Sequence, residues 1–166
     1  MSNNPSATVS AKKTDLVFER TYRARVEELW KLWTTKTGFE SWWGPGGFRA
    51  KVHRLEARVG GVLNYEMIAD TPEMVEAMKQ MGRPSSHETH AKFSELRPHD
   101  RLTLTHIVDF LPGVKPYEST IVVEFHPASD SVRMVVTMSP MHDEEMTKMS
   151  SMGFASQLTK LDKRFA

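Results

Sequence analysis

The chain contains no cysteine, which excludes disulfides, thiolate metal sites and thiol catalysis, and is compatible with a reducing cytoplasm. Net charge is nearly absent too, with 22 Lys and Arg against 21 Asp and Glu. A surface without an excess of one sign gives no electrostatic case for nucleic acid or an anionic membrane as partner. No apolar run reaches the roughly 20 residues that span a bilayer, and the segment Met1 to Lys13, with its Ser, Asn, Pro and Ala, lacks the apolar core of a secretory signal. Nor is there a nucleophile elbow, a phosphate-binding glycine loop with its lysine, or a paired-carboxylate signature. Localisation in the cytoplasm is the expectation these absences leave.

What is present suits one globular domain: 166 residues, 39% apolar and 26% charged. Residues 1–12 are expected to be a disordered N-terminal segment and residues 13–166 the domain. Leu16 and Phe18 alternate with polar neighbours as in a half-buried strand. The period then changes, and Val26, Leu29, Trp30 and Trp33 fall on one face of a short helix. A further helical turn at Phe39 to Trp43 is expected to stop at Gly44-Pro45-Gly46-Gly47. Phe48 to Val59 and Val62 to Ile68 read as strands joined by a tight turn at Gly60-Gly61. Thr71-Pro72-Glu73 has the form of a helix start, followed by Met74, Val75, Met78 and Met81 before Gly82. Four more strands are expected: His87 to Leu96, Leu102 to Phe110, Tyr117 to Phe125 and Val132 to Met138. A long helix capped by Asp143 closes the chain, with Met146, Met149, Gly153, Phe154, Leu158, Leu161 and Phe165 recurring at steps of three and four. Antiparallel hairpins with helices on one face make an α+β sandwich.

At Leu29-Trp30, Trp42-Trp43-Gly44-Pro45, Gly60-Gly61 and Gly153-Phe154 with Leu158, Leu161 and Phe165, the chain resembles the family of activators of the heat shock protein 90 ATPase. That family lies within the birch-pollen-allergen-like (START-like) superfamily. The resemblance covers about residues 14–166. It implies a helix-grip fold, a curved antiparallel sheet of about six or seven strands around a long C-terminal helix, and a cavity used across the superfamily for apolar ligands. Three positions depart from the pattern: Arg25 stands where a proline is usual, Phe154 where a tryptophan is, and the methionine-rich helix at 72–81 looks like an insertion.

Within such a fold the expected ligand-lining residues follow from type and register. Trp42 and Trp43 beside the glycine loop are cavity wall or core, whereas Trp30 and Trp33 on an amphipathic face read as core. Met67, Met134, Met138 and Met149 supply flexible thioethers that suit either a pocket or a core, and Phe110, Gly153 and Phe154 extend the same surface. His106 alternates with Leu102, Leu104 and Val108 and so faces inward, where it needs a partner among Tyr65, Glu66, Tyr117 and Ser119. His106 or Tyr65 is expected to orient a ligand, and Tyr117 to line the site.

His87 and His90, three apart on a strand, point to opposite faces and do not chelate, so no metal and no other cofactor is expected. The expected partner is a small apolar or aromatic molecule. A chaperone bound through an exposed face is the alternative, and an enzyme with His106 as acid or base a third possibility. A monomer and a homodimer are both open.

Overall fold

The computed structural model describes residues 14–109 and 111–166, so the expectation for residues 1–12 and the site expectation for Phe110 lie outside the described residues. Strand alternation and helical periodicity are obeyed nearly throughout. The order is β1 (Leu16–Tyr22), α1 (Val26–Thr34), α2 (Lys36–Glu40), β2 (Phe48–Leu55), β3 (Val62–Ala69), α3 (Pro72–Gln80), β4 (Ser86–Arg97), β5 (Arg101–Val108), β6 (Tyr117–Pro127), β7 (Val132–Met138) and α4 (Glu144–Arg164). All seven strands pair antiparallel in one open sheet, in the order β1-β7-β6-β5-β4-β3-β2. Six consecutive strands make a meander, and β1 returns to β7 with Leu16 opposite Met138 and Tyr22 opposite Val132. No helix among the described residues is long and apolar enough to cross a membrane.

Side-chain chemistry sets the helix starts. Thr71 accepts a hydrogen bond from Met74 N at 3.1 Å before Pro72, and Asp143 accepts one from Met146 N at 2.7 Å. Each satisfies an amide that has no partner within its helix. Glu144 and Glu145 in the first turn of α4, and Lys163 and Arg164 in its last, match the helix dipole. α2 begins earlier than the Phe39–Trp43 turn expected, because Thr35 caps it by accepting from Gly38 N at 3.0 Å.

The turn expected at Gly60-Gly61 is present, with Gly61 N donating to the Arg58 carbonyl at 2.8 Å and Gly60 at φ +83°, but the strand before it is corrected. β2 ends at Leu55, four residues short of Val59. The chain then doubles back through a loop in which Glu56 draws in Arg54 and Arg58 and accepts from Val62 N. A Cβ on Gly61 would lie 2.1 Å from the Glu56 carbonyl oxygen, which is why glycine stands there.

The concave face of the sheet divides into two regions. At one end Phe93, Leu102, Leu104, Val123, Phe125, Val132 and Val136 are almost wholly buried. An aromatic cluster from α1, α2 and the turn after it packs on the concave face, and Trp30 meets Phe125 at the apolar end. Trp33 meets Trp42 at 5.0 Å and Trp43 at 5.5 Å between ring centroids, and Phe39 stacks on Trp43 at 4.5 Å. Trp42 donates its indole N–H to the Leu32 carbonyl at 2.9 Å, which ties the turn to α1. At the other end the buried inward-facing side chains include Tyr65, Thr89, His106 and Ser119.

Candidate functional site

α4 lies across both regions and treats them differently. From Phe154 onward it buries Phe154, Gln157, Leu158 and Leu161. Between residues 144 and 153 no residue is buried. The first half of the helix therefore does not seal against the sheet as the second half does.

The second half is tied to the glycine loop. Gly44 N donates to Gln157 Oε1 at 2.8 Å, Gly46 N to Ser156 Oγ at 2.9 Å, and Lys160 Nζ to the Phe48 carbonyl at 3.2 Å. Burial lowers the Lys160 pKa. Gly44 has φ +111°, and a Cβ there would come within 3.3 Å of Met67 Sδ, so the loop needs glycine both for its backbone and for its approach to β3. The start of α4 is held by Tyr117, which bonds His142 Nδ1 at 3.0 Å and accepts from His142 N at 3.3 Å.

Near the boundary between the filled and polar regions is a chain of buried polar groups. Trp43 Nε1 donates to the Tyr65 hydroxyl at 3.1 Å, and that hydroxyl lies 2.9 Å from His106 Nε2. Thr89 also hydrogen-bonds Tyr65. The Trp43 indole N–H can only donate, which leaves the phenol's own proton and its second lone pair to Thr89 and His106. Burial acts on both groups: it raises the Tyr65 pKa, keeping the phenol protonated, and lowers that of His106 to about 4. The Trp43 ring stacks parallel to the His106 ring at 6.4 Å and 7°.

Of the four partners offered for His106, geometry selects Tyr65. Glu66 pairs with His53, Tyr117 with His142, and Ser119 faces Ser139 and Met141. His90 bonds Asn64 across from the inward-facing His87, whose pKa is lowered by burial and then by Arg83.

The expected lining residues separate in space. Trp43, Tyr65 and His106 form the polar chain, and Phe154 packs against Trp43 at 6.2 Å and Phe18 at 5.1 Å. Met67 is partly buried beside Gly44, and Met138 is buried opposite Ile121. Trp42 belongs to the aromatic cluster, and Met134 pairs with Phe125 at the filled end.

Met149 is corrected from the buried face to the outer one, where it is 52% exposed. It lies nine residues before Leu158, about two and a half turns of an α-helix and so on the opposite side. Steps of three and four drift around the helix when they are summed without regard to angle.

Gly153 is only partly buried. A Cβ there would meet no atom within 4 Å among the described residues, and its φ is not positive. No steric need for glycine is visible in a residue one turn before the buried Gln157.

Gln157 and Thr89 were missed from the sequence. Gln157 had a detectable signal, since it falls three residues after Phe154 and four before Leu161 on the buried stripe, a register where a polar side chain needs a reason. Thr89 had none, because threonine is unremarkable in a strand.

Surface clefts are present as well. One of about 360 Å³ is bounded by Met78, Met81, Arg83, His87, Leu111 and Pro112. Two wider grooves, about 660 and 590 Å³, run past the charged residues Arg25, Glu27 and Glu28 of the α1 region.

Comparison with known proteins agrees with this architecture. A Silicibacter pomeroyi structure described as an AHSA1 protein superposes with TM-score 0.71 at 19% identity, covering 91% of this chain and 96% of that one. A Chromobacterium violaceum protein gives 0.69 at 17%, covering 92% and 97%. One from Nitrosomonas europaea gives 0.67 at 22%, covering 90% and 92%. No curated protein matches. Residues 23–166 match the family described as Activator of Hsp90 ATPase homolog 1-like protein, and the chain belongs to that family.

Proposed function

We propose that the protein binds a small apolar or aromatic molecule between the polar end of the sheet and the first half of α4. The observation that carries this reading is the contrast along α4, with its second half buried and no buried residue between 144 and 153. Gly153 supports it, because a helix-interior glycine with free space at its Cβ sacrifices stability without easing a clash. Affinity would come from apolar burial at roughly 25 cal/mol per Å², with the Trp43–Tyr65–His106 chain as a rigid wall. Burial keeps His106 neutral at neutral pH and its Nε2 is engaged by Tyr65, so the ring serves as part of the wall.

Two substitutions at one position test this. Gly153→Ala is expected to stabilise the fold by about 1 kcal/mol, raising Tm by roughly 2–4 °C. Gly153→Phe is expected to fold and to lose ligand binding by filling the space. In a thermal-shift panel of flavonoids, sterols, fatty acids and polyketide-like aromatics, a ligand at about a hundred times its Kd adds roughly 2.7 kcal/mol. A saturable shift in the wild type that disappears in Gly153→Phe supports the reading. No shift with any compound, or an equal shift in both proteins, sinks it.

The second reading is docking on a chaperone ATPase. It draws on the family description and on Met149 and Met152, exposed three residues apart on the outer side of α4. Pull-down of the chaperone together with stimulation of its ATPase would favour it, and the absence of both would remove it.

A further inference from the structure

The end of α3 forms a turn that presents a cation. Gly82 N donates to the Lys79 carbonyl at 3.0 Å and Arg83 N to the Met78 carbonyl at 2.9 Å, with Gly82 at φ +69°. These two bonds close the helix in a Schellman turn, which needs a left-handed residue and so favours glycine. The turn carries Met78, Met81 and Arg83 to one side of the cleft of about 360 Å³, whose other walls include His87 at the start of β4 and Leu111 and Pro112 beyond β5. Met78 is 8% exposed and Met81 57%, so this wall runs from the interior out to solvent. Small-molecule pockets occupy roughly 300–1,000 Å³, and the cleft falls at the lower end of that range.

Charge in the cleft is one-sided. No Asp or Glu is among the described residues that line it, and no ion pair among the described residues includes Arg83. Its guanidinium is near enough to lower the His87 pKa, which burial lowers more, so at neutral pH that imidazole is an uncharged hydrogen-bonding group. Thioethers and imidazole are also ligands for soft metal ions, but a cation here would face the guanidinium with no carboxylate to offset it.

We infer that this cleft is a binding site for a small amphipathic carboxylate, its anionic end on Arg83 and its apolar body against Met78, Met81 and Leu111. A guanidinium meets a carboxylate through two parallel N–H bonds, and flexible thioethers mould to an apolar body. No described residue of α4 lines the cleft, so the inference goes beyond the reading above and does not depend on it.

The test compares 3-phenylpropanoate with its amide, which has the same shape and no charge, and with 3-phenylpropylamine, which carries the opposite charge. Each is titrated into wild type, Arg83→Gln and Gly153→Phe while the methionine methyl signals are followed by NMR. Arg83 is exposed, so Arg83→Gln is expected to fold. The wild type is expected to bind the carboxylate about fivefold tighter than the amide, a modest factor because an exposed guanidinium is screened by water and salt. The Met78 and Met81 methyl signals should move. In Arg83→Gln the preference should fall to about onefold, with amide affinity kept within about twofold. In Gly153→Phe, carboxylate affinity should stay within about twofold of wild type.

No binding of the carboxylate, equal affinity for carboxylate and amide, tightest binding of the amine, or a preference that survives in Arg83→Gln would overturn the inference and leave the reading at α4 untouched. Carboxylate binding that is lost in Gly153→Phe, or that moves the α4 methionine signals and not those of Met78 and Met81, would also overturn it, and would favour the α4 site instead.

Discussion

Between pH 6.5 and about pH 4, burial of His106 alone is expected to remove about 3 kcal/mol of folding stability. In the unfolded chain this imidazole takes up a proton near 6.5, whereas in the folded protein it does so only near 4. Across that window the unfolded state binds more protons, so each pH unit downward costs about 1.4 kcal/mol. The stabilisation is complete above pH 6.5 and lost as pH falls through 4.

His87 contributes with the same sign, since burial lowers its pKa too. Glu56, Glu66 and Glu95, all held below the usual carboxylate range by hydrogen bonds and cations, add losses at the acid end. His106→Gln separates the contribution, because the new amide oxygen can still accept from Tyr65 while no longer titrating. Urea unfolding from pH 7 to 4.5 should show the wild-type advantage over the variant shrinking as pH falls. A constant gap would mean that His106 is not held neutral by burial.

Trp42→Ala is expected to be more damaging at neutral pH, by about 3–5 kcal/mol, or a fall in Tm of roughly 6–20 °C. Trp42 is 1% exposed and touches Trp33, Trp43 and Phe154. Its indole N–H also satisfies the Leu32 carbonyl, so truncation removes packing and a buried hydrogen bond together. Trp42→Phe should recover most of the packing and leave about 1 kcal/mol for the lost bond. Calorimetry on the three proteins decides the matter. A cost below about 1 kcal/mol for Trp42→Ala would show that the aromatic cluster is not packed as one unit.

These two experiments probe adjoining parts of the concave face, on either side of Trp43, and sequence reading served them unequally. The alternation Leu102, Leu104, His106, Val108 placed the histidine inward correctly. It could not choose among Tyr65, Glu66, Tyr117 and Ser119, because strands adjacent in space bring together residues 41 positions apart in Tyr65 and His106. The tryptophans show the same limit. Spacing put Trp33 on the buried face of α1, but nothing in the spacing revealed that Trp42 turns into that cluster while Trp43 joins the polar chain. Met149 was misplaced because counting steps of three and four neglects the accumulated angle around the helix.

Sequence alone determined what depends on neighbours a few residues apart. The strand and helix periods, the caps at Thr71 and Asp143, the α+β class and the family resemblance are all of this kind, since backbone sterics and side-chain alternation act locally. Tertiary structure alone decided which part of the sheet is apolar and which is polar, that His106 meets Tyr65, and that Gln157 holds the glycine loop at Gly44. Each of these depends on contacts between segments distant in the chain. Their cost or benefit arises only when burial removes water and every polar atom must find a partner within the protein.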